Sequence, residues 1–591
     1  MAAVVDAPDN AAPGDDPPLA PSHQGFVAAV TRRPVRTTAL LGVVVGAYNL
    51  WWVANHRFQG GFDGDETSYL ATTLRFRRIL DTEGLGAMLE AARHTFRNGP
   101  LVPFSAAFLV RDGSPISSAM SVQPIFHLII AVAVAATVRR LAGDRPALVA
   151  GIVVLGLPGL LVSVRTFQLV MAVTASMAVA VWALVASDRG RRTGYLVVFG
   201  AAVGAMLLSR TMSVSYVPGL VIAAAVIAGG SRRGRAGLVL AAGVTLVVAA
   251  PWWIAEWDNS IYRYLFRYGY GSGSDPLGPE WPPLRVLVRL GLITTDVRPL
   301  MAFPAAILFV SGLLAARRSL RAGGAKAFFE RNRELIGVWS VVGVGWIALL
   351  SSSNIGTYFQ LPLETIAVIG LASLPLRSRL RGRIGIWLIG VAALNVVLLS
   401  HWSIGASIRS GGATLSVPAF GGVETSQSID YENGDARFRP MASDRERRAA
   451  MRDWARAQNE TAAAVDSLTP PGATVMQTFL GDIRLYQATT LALAEELTGK
   501  GVSPWEAPTA TSTTGDGTVD LSPTASGDLP RVLVAVRATT YTDQEGAPAD
   551  PVLAEARSEG WTLARRVPLP DGGSVEIYTH PDNAAFHARA S

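Results

Sequence analysis

Three carboxylates fall within four residues in the stretch GFDGDETSYL: Asp63, Asp65 and Glu66. Carboxylates this close repel one another unless a cation shares the site. They suit general-base removal of a proton from a hydroxyl, and they leave room for a divalent cation, although no ligand spacing calls for one. Further along, polar residues interrupt otherwise apolar runs: Arg165 and Gln168 in SVRTFQ, Arg210 in LLSRTMS, Arg263 and Arg267 in YRYLFRYGY, and Asn354, Tyr358 and Gln360 in SSSNIGTYFQLPL, with Glu364 one turn deeper. A guanidinium can hold two phosphate oxygens at once, so Arg165, Arg210 or Arg267 could receive negative charge that builds up on a phosphate. With no Cys in the chain, disulfides, Cys-ligated metals and thiol catalysis are excluded.

The elements that must position these residues follow from composition. Half of the 591 residues are hydrophobic and 16% are charged, with a mean hydropathy of +0.32; this is the balance of a polytopic membrane protein. The net charge of +7 and a pI near 9.8 do not point to nucleic acid, because the Arg residues sit in short clusters between apolar runs, as membrane topology places them. Residues 1–36, rich in Ala, Pro and Asp, lack the features of a cleavable signal and read as a disordered cytoplasmic tail.

A crossing helix needs roughly 20 apolar residues. That criterion places spans near 38–55, 118–138, 146–164, 168–186, 194–209, 213–230, 236–254, 299–316, 335–352, 356–376 and 384–402. The fold class expected is therefore a polytopic α-helical membrane protein of about eleven transmembrane helices, covering 37–402, with a carboxyl-terminal extracytoplasmic α/β domain over 403–591. With the amino terminus inside, six basic clusters fall on one side: Arg32, Arg33 and Arg36; Arg139 and Arg140; Arg189, Arg191 and Arg192; Arg232, Arg233 and Arg235; Arg317, Arg318, Arg321 and Lys326; Arg377, Arg379, Arg381 and Arg383. The acidic stretch then lies outside, in a loop from 56 to 117 that holds two short helices in the interface plane. Every polar exception named above lies at that same face, so one external cavity, acidic on one wall and basic on another, explains them together.

Beyond 403 the sequence reads as a helix in RERRAAMRDWARAQNETAAAVDSL, strands at ATVMQTFL, RVLVAVRA, TLARRVPL and SVEIYTH, and a helix over 552–560. A Thr-, Ser-, Pro- and Gly-rich insertion spans 505–529.

Other readings stand beside these. The carboxylates could be solvated loop residues; Arg165 and Arg210 could snorkel to the interface; Asn354 and Gln360 could join helices; YRYLFRYGY could be an aromatic belt. His94, His127 and His401 have no metal spacing and read as structural. The Gly residues of GLGAM and GSGSD lack the strand-to-helix context of a nucleotide fingerprint.

The acidic pair Asp65-Glu66 after the first span, the two interfacial helices, the YFQLPL stretch and the external carboxyl-terminal domain together resemble the GT-C glycosyltransferases, in the branch of protein O-mannosyltransferases and aminoarabinose transferases. The resemblance implies an inverting enzyme that moves a sugar from a polyprenyl-phosphate donor to an envelope glycan, lipid or protein on the outer face of the plasma membrane. It implies Asp65 as base, Glu66 and Asp63 as positioning groups, and Arg165, Gln168, Arg210, Arg263, Arg267, Asn354, Tyr358 and Gln360 as substrate contacts. Ala-, Arg- and Gly-rich usage adds the expectation of a high-GC, actinobacterial source, where such enzymes transfer mannose or arabinose to the cell wall. Two alternatives are a flippase of lipid-linked sugars, which would need ionisable residues at mid-membrane depth, and a noncatalytic assembly protein that holds a partner through its external domain.

Overall fold

At membrane depth no water is present to satisfy the main chain, so the apolar runs must close their own hydrogen bonds as helices. The computed structural model describes residues 33–56, 64–95, 98–262, 265–266, 270, 296–352, 359–374, 378–397, 403–410, 413–421, 444–469, 475–480, 493, 496–497, 505–506, 532–537, 549–570 and 572–581. Nearly all of the amino-terminal tail, most of the 505–529 insertion, and Asp63, Arg263, Arg267, Asn354 and Tyr358 lie outside the described residues.

Among the described residues, six helices are long and apolar enough to cross a membrane: Pro34–Ala54, Pro115–Ala142, Thr211–Ala228, Arg232–Ala255, Pro299–Arg331 and Arg333–Ser351. A seventh crossing is formed if Asp144–Leu155 and Pro158–Val164, bent by 52°, count as one span, and four shorter apolar helices lie at Val170–Ala186, Thr193–Ser209, Leu361–Ala372 and Gly382–Val397. The protein is thus a multi-pass membrane protein. The bend has a local cause: Pro158 removes a donor, and a Cβ on Gly156 would stand 2.4 Å from the carbonyl oxygen of Ala392, so the chain breaks where another backbone presses against it.

Val170–Ala186 is buried on nearly every side, which suits a helix apolar all round. Close approach of helices elsewhere relies on small residues. Gly200 and Gly204 are one turn apart, and a Cβ on Gly200 would lie 2.2 Å from the Ala241 carbonyl oxygen. Thr245 Oγ1 then donates to the Gly200 carbonyl at 2.9 Å, fixing Thr193–Leu207 against Arg232–Ala255.

The segment after the first span forms two helices, Gly64–Thr82 and Leu85–Arg93. Leu70 and Leu74 are buried in the main core, while Phe76, Met88, Ala92 and Ala107 form a smaller cluster that ties the two helices to Leu101–Ala107. Arg77 stays outside and pairs with Asp81 at 2.7 Å, the spacing that faces one turn later on a helix. The segment is seated at Gly99, where a Cβ would come within 1.9 Å of the Leu208 carbonyl oxygen, and the Leu101 amide donates to that carbonyl at 3.1 Å.

After the membrane helices comes an antiparallel hairpin, β1 (Ser403–Ser410) and β2 (Ala413–Gly421), which the sequence pattern did not suggest. The helix Asp444–Leu468 follows, then a five-stranded sheet of β3 (Val475–Leu480), β4 (Trp505–Glu506), β5 (Val532–Arg537), β6 (Thr562–Pro568) and β7 (Ser574–Thr579), ordered β4-β3-β5-β7-β6. Strand β5 runs parallel to β3 and antiparallel to β7. Its Val532, Leu533, Val534 and Ala535 are all buried, as a continuous apolar run in a central strand requires. Ala549–Ser558 is the helix expected between strands.

Gly64–Thr82 and this carboxyl-terminal region meet through Arg78, whose guanidinium contacts both oxygens of the buried Glu496 at 3.0 and 3.3 Å. Burial pushes the Glu496 carboxyl above its usual range, while Arg78 and Arg75 hold it down. Arg78→Ala leaves that carboxylate with less compensation, and a loss of about 1–2 kcal/mol is expected, at the low end because Arg78 is partly exposed. Without Arg78 the burial effect is less opposed, so the carboxyl rises further. The deficit against wild type is therefore largest near neutral pH and shrinks as pH falls through the raised value, where Glu496 is neutral. Thermal melting of the purified protein across that range checks both size and sign.

Candidate active site

The turn between the end of the third span and the next helix exposes main-chain donors. After Pro158–Val164 ends, the chain turns through Arg165, Thr166 and Phe167 before Val170–Ala186 begins, and a buried amide there must find an acceptor. Phe167 N–H donates to Glu66 Oε1 at 2.6 Å. Glu66 is fully buried. Its neighbour Asp65 faces outward, so one helical turn separates two adjacent carboxylates by role: one is held on the backbone, the other reaches the outside. Both lie in the first turn of Gly64–Thr82, where the helix dipole favours negative charge.

Arg165 is likewise buried. Its Nε donates to Asn49 Oδ1 at 2.8 Å, and its guanidinium stacks over the Trp52 ring at 4.2 Å. Asn49 and Trp52 both come from the first span, so the cation is fixed by the helix that leads into the acidic stretch. Gln168 is half-buried, and its carbonyl accepts from Gln123 Nε2 at 3.1 Å.

Arg210 lies where Thr193–Leu207 gives way to the short 3₁₀ turn Thr211–Tyr216. Its guanidinium stands over the Phe359 ring at 4.0 Å. A small recess there is lined by Val170, Val173, Arg210, Ser213, Tyr216, Phe359 and Pro362, and the Tyr216 hydroxyl donates to the Phe359 carbonyl. A half-buried cation on an aromatic face beside an apolar recess can accept an anionic group whose remainder is apolar.

Gln360 is buried, and its Nε2 donates to Asp296 Oδ2 at 2.6 Å. Glu364 follows one turn later on the same helix face and is 7% exposed. Of the site residues expected from sequence, the structure thus joins Glu66 to the Arg165–Gln168 turn, sets Arg210 against Phe359 and places Gln360 on Asp296. His127 is structural as expected, with Nε2 on the Val154 carbonyl at 3.2 Å. No group of three or more His, Asp or Glu side chains able to hold a metal is found among the described residues.

Asn49, Trp52, Asp296 and Arg298 were not singled out from the sequence. Asn49 had a signal, being a polar residue inside the apolar run GAYNLWW; Asp296 and Arg298 precede Pro299 in TTDVRPL, and only their burial reveals them.

Comparison with known proteins follows this geometry. Residues 97–255 match the family described as dolichyl-phosphate-mannose-protein mannosyltransferase. None of the curated proteins matches the chain. Among solved structures, ArnT from Cupriavidus metallidurans in the apo state superposes with a TM-score of 0.52 at 15% identity, covering 95% of this chain and 99% of that one. The same protein bound to undecaprenyl phosphate gives 0.50 at 13% identity with the same coverage. The likeness in fold extends over nearly the whole chain, and the mannosyltransferase pattern covers residues 97–255 within it.

Proposed function

We propose that the protein is an inverting glycosyltransferase that moves a sugar from a polyprenyl-phosphate donor to an envelope glycan, lipid or protein acceptor on the outer face of the plasma membrane, with its amino terminus inside and the region beyond 403 outside. The mannosyltransferase pattern and the likeness to ArnT, which has been solved with undecaprenyl phosphate, support a lipid-linked donor. The single observation that carries the reading is the division of labour at Asp65 and Glu66: Glu66 clasps the Phe167 amide and locks the helix start, leaving Asp65 outward-facing at a fixed place.

Asp65 acts as general base, taking the acceptor hydroxyl proton as its oxygen attacks the anomeric carbon; the bond to the phosphate oxygen breaks and the lipid phosphate leaves. That group is already a good leaving group, so it chiefly requires positive charge, and Arg210 supplies it beside the apolar recess. Arg165 orders the turn that carries the Phe167 amide. Asp63, Gln168, Arg263, Arg267, Asn354, Tyr358 and Gln360 complete the proposed surroundings.

Sugar transfer from a radiolabelled polyprenyl-phosphate donor to membrane acceptors tests this. Asp65→Asn is expected to lower transfer by about 10²-fold or more with donor binding retained; near wild-type activity sinks the catalytic reading. Arg210→Ala is expected to lower kcat/KM for the donor by about 10- to 100-fold while acceptor saturation is unchanged.

Arg165→Lys keeps a charge but loses the planar stack on Trp52 and the fork that reaches Asn49. It is expected to lower the melting midpoint as well as activity, whereas Asp65→Asn leaves the midpoint in place.

A further inference from the structure

A second polar cluster lies where the chain enters Pro299–Arg331 and Leu361–Ala372. Asp296, Gln360 and Glu364 are all buried there, with Arg298 beside them. Gln360 Nε2 is spent on Asp296 Oδ2. Among the described residues, neither carboxylate oxygen of Glu364 nor Oε1 of Gln360 has a hydrogen-bond partner. Gln360 and Glu364 are four apart on one helix, so both side chains leave the same face, and Glu364 lies within electrostatic reach of Asp296, as does Arg298. Gly159 closes one side: a Cβ there would stand 3.1 Å from Asp296 Cβ. Arg298 adopts φ 65° and ψ 148°, a conformation nearly confined to glycine, which persists only where the surroundings demand it.

Unpartnered oxygens in a buried site call for something that donates or coordinates. When ionised, the two carboxylates exceed the one guanidinium beside them among the described residues by a single negative charge, and the donors are hard oxygens, which select hard cations. A divalent ion would overshoot to a net positive charge; a monovalent ion closes the balance. We propose that Asp296, Glu364 and Oε1 of Gln360 bind sodium, and that the ion pins the start of Leu361–Ala372 to the start of Pro299–Arg331.

The inference goes beyond the transferase reading, and its test reads stability, so the two fail separately. The full-length protein in detergent micelles is melted in sodium chloride and in choline chloride at constant ionic strength. The midpoint is expected to rise saturably with sodium and not with choline, and the sodium dependence is expected to vanish in Glu364→Gln. Identical midpoints in the two salts, a sodium shift that survives in Glu364→Gln, or the same shift produced by micromolar magnesium or calcium overturns the proposal. A midpoint indifferent to sodium that rises as pH falls overturns it in favour of a proton. Should Glu364→Gln not fold, Gln360→Leu, which removes one liganding oxygen together with the amide nitrogen but no charge, is expected to raise the half-saturating sodium concentration at least fivefold; an unchanged value overturns the proposal equally.

Discussion

A helix broken at membrane depth leaves amides that no water can satisfy, and the rest of the site depends on how this chain satisfies one of them. Pro158–Val164 ends at Arg165, and the Phe167 amide emerges from the turn that leads to Val170–Ala186. Glu66 accepts it. Because Glu66 comes from Gly64–Thr82, a single hydrogen bond joins the acidic stretch to the turn that carries Arg165 and Gln168. The unmet donor of one element becomes the anchor of another.

Cations are fixed by the same economy. A buried guanidinium is tolerated only when its donors and its flat faces are occupied. Arg165 meets this with Asn49 at its edge and Trp52 on its face, both from the first span, so the helix that delivers the acidic stretch also holds the cation. Arg210 uses Phe359 in the same way, but at a half-buried place beside a recess. In the proposed reading, the rigidly held Arg165 serves as scaffold and the more accessible Arg210 as the binding group, just as Glu66 and Asp65 divide the acidic side.

Much of this was legible in the sequence because membrane folding obeys two strong rules, apolar length and the placement of Arg. The apolar helices fall where the hydrophobic runs predicted them, and the acidic pair falls on a helix start next to Arg165. Roles within the pair were not legible: Asp65 and Glu66 are adjacent and chemically alike, and only the register of the helix decides which one meets Phe167. Asp296 was hidden for a similar reason. An acid and an Arg before a proline read as an ordinary loop until a helix from another part of the chain brings Gln360 within 2.6 Å. The β1–β2 hairpin escaped because its strands, SIGASIRS and ATLSVPAFG, contain too many small and polar residues for an apolar alternation to show.

Small residues explain why the arrangement can be so tight. Gly99, Gly156 and Gly200 each sit where a Cβ would overlap a backbone carbonyl oxygen, of Leu208, Ala392 and Ala241 respectively. Without a hydrophobic force between helices in lipid, close packing is what holds them together, and each of these contacts lies next to a functional turn or to a helix that leads into one. Gly99 seats the Gly64–Arg93 segment on the end of the helix that precedes Arg210; Gly156 sets the bend ahead of the helix that ends at Arg165; Gly200 fixes the helix that delivers Arg210. A methyl group at any of the three would move a charged side chain of the site, so the packing of small residues and the placement of charge are one constraint.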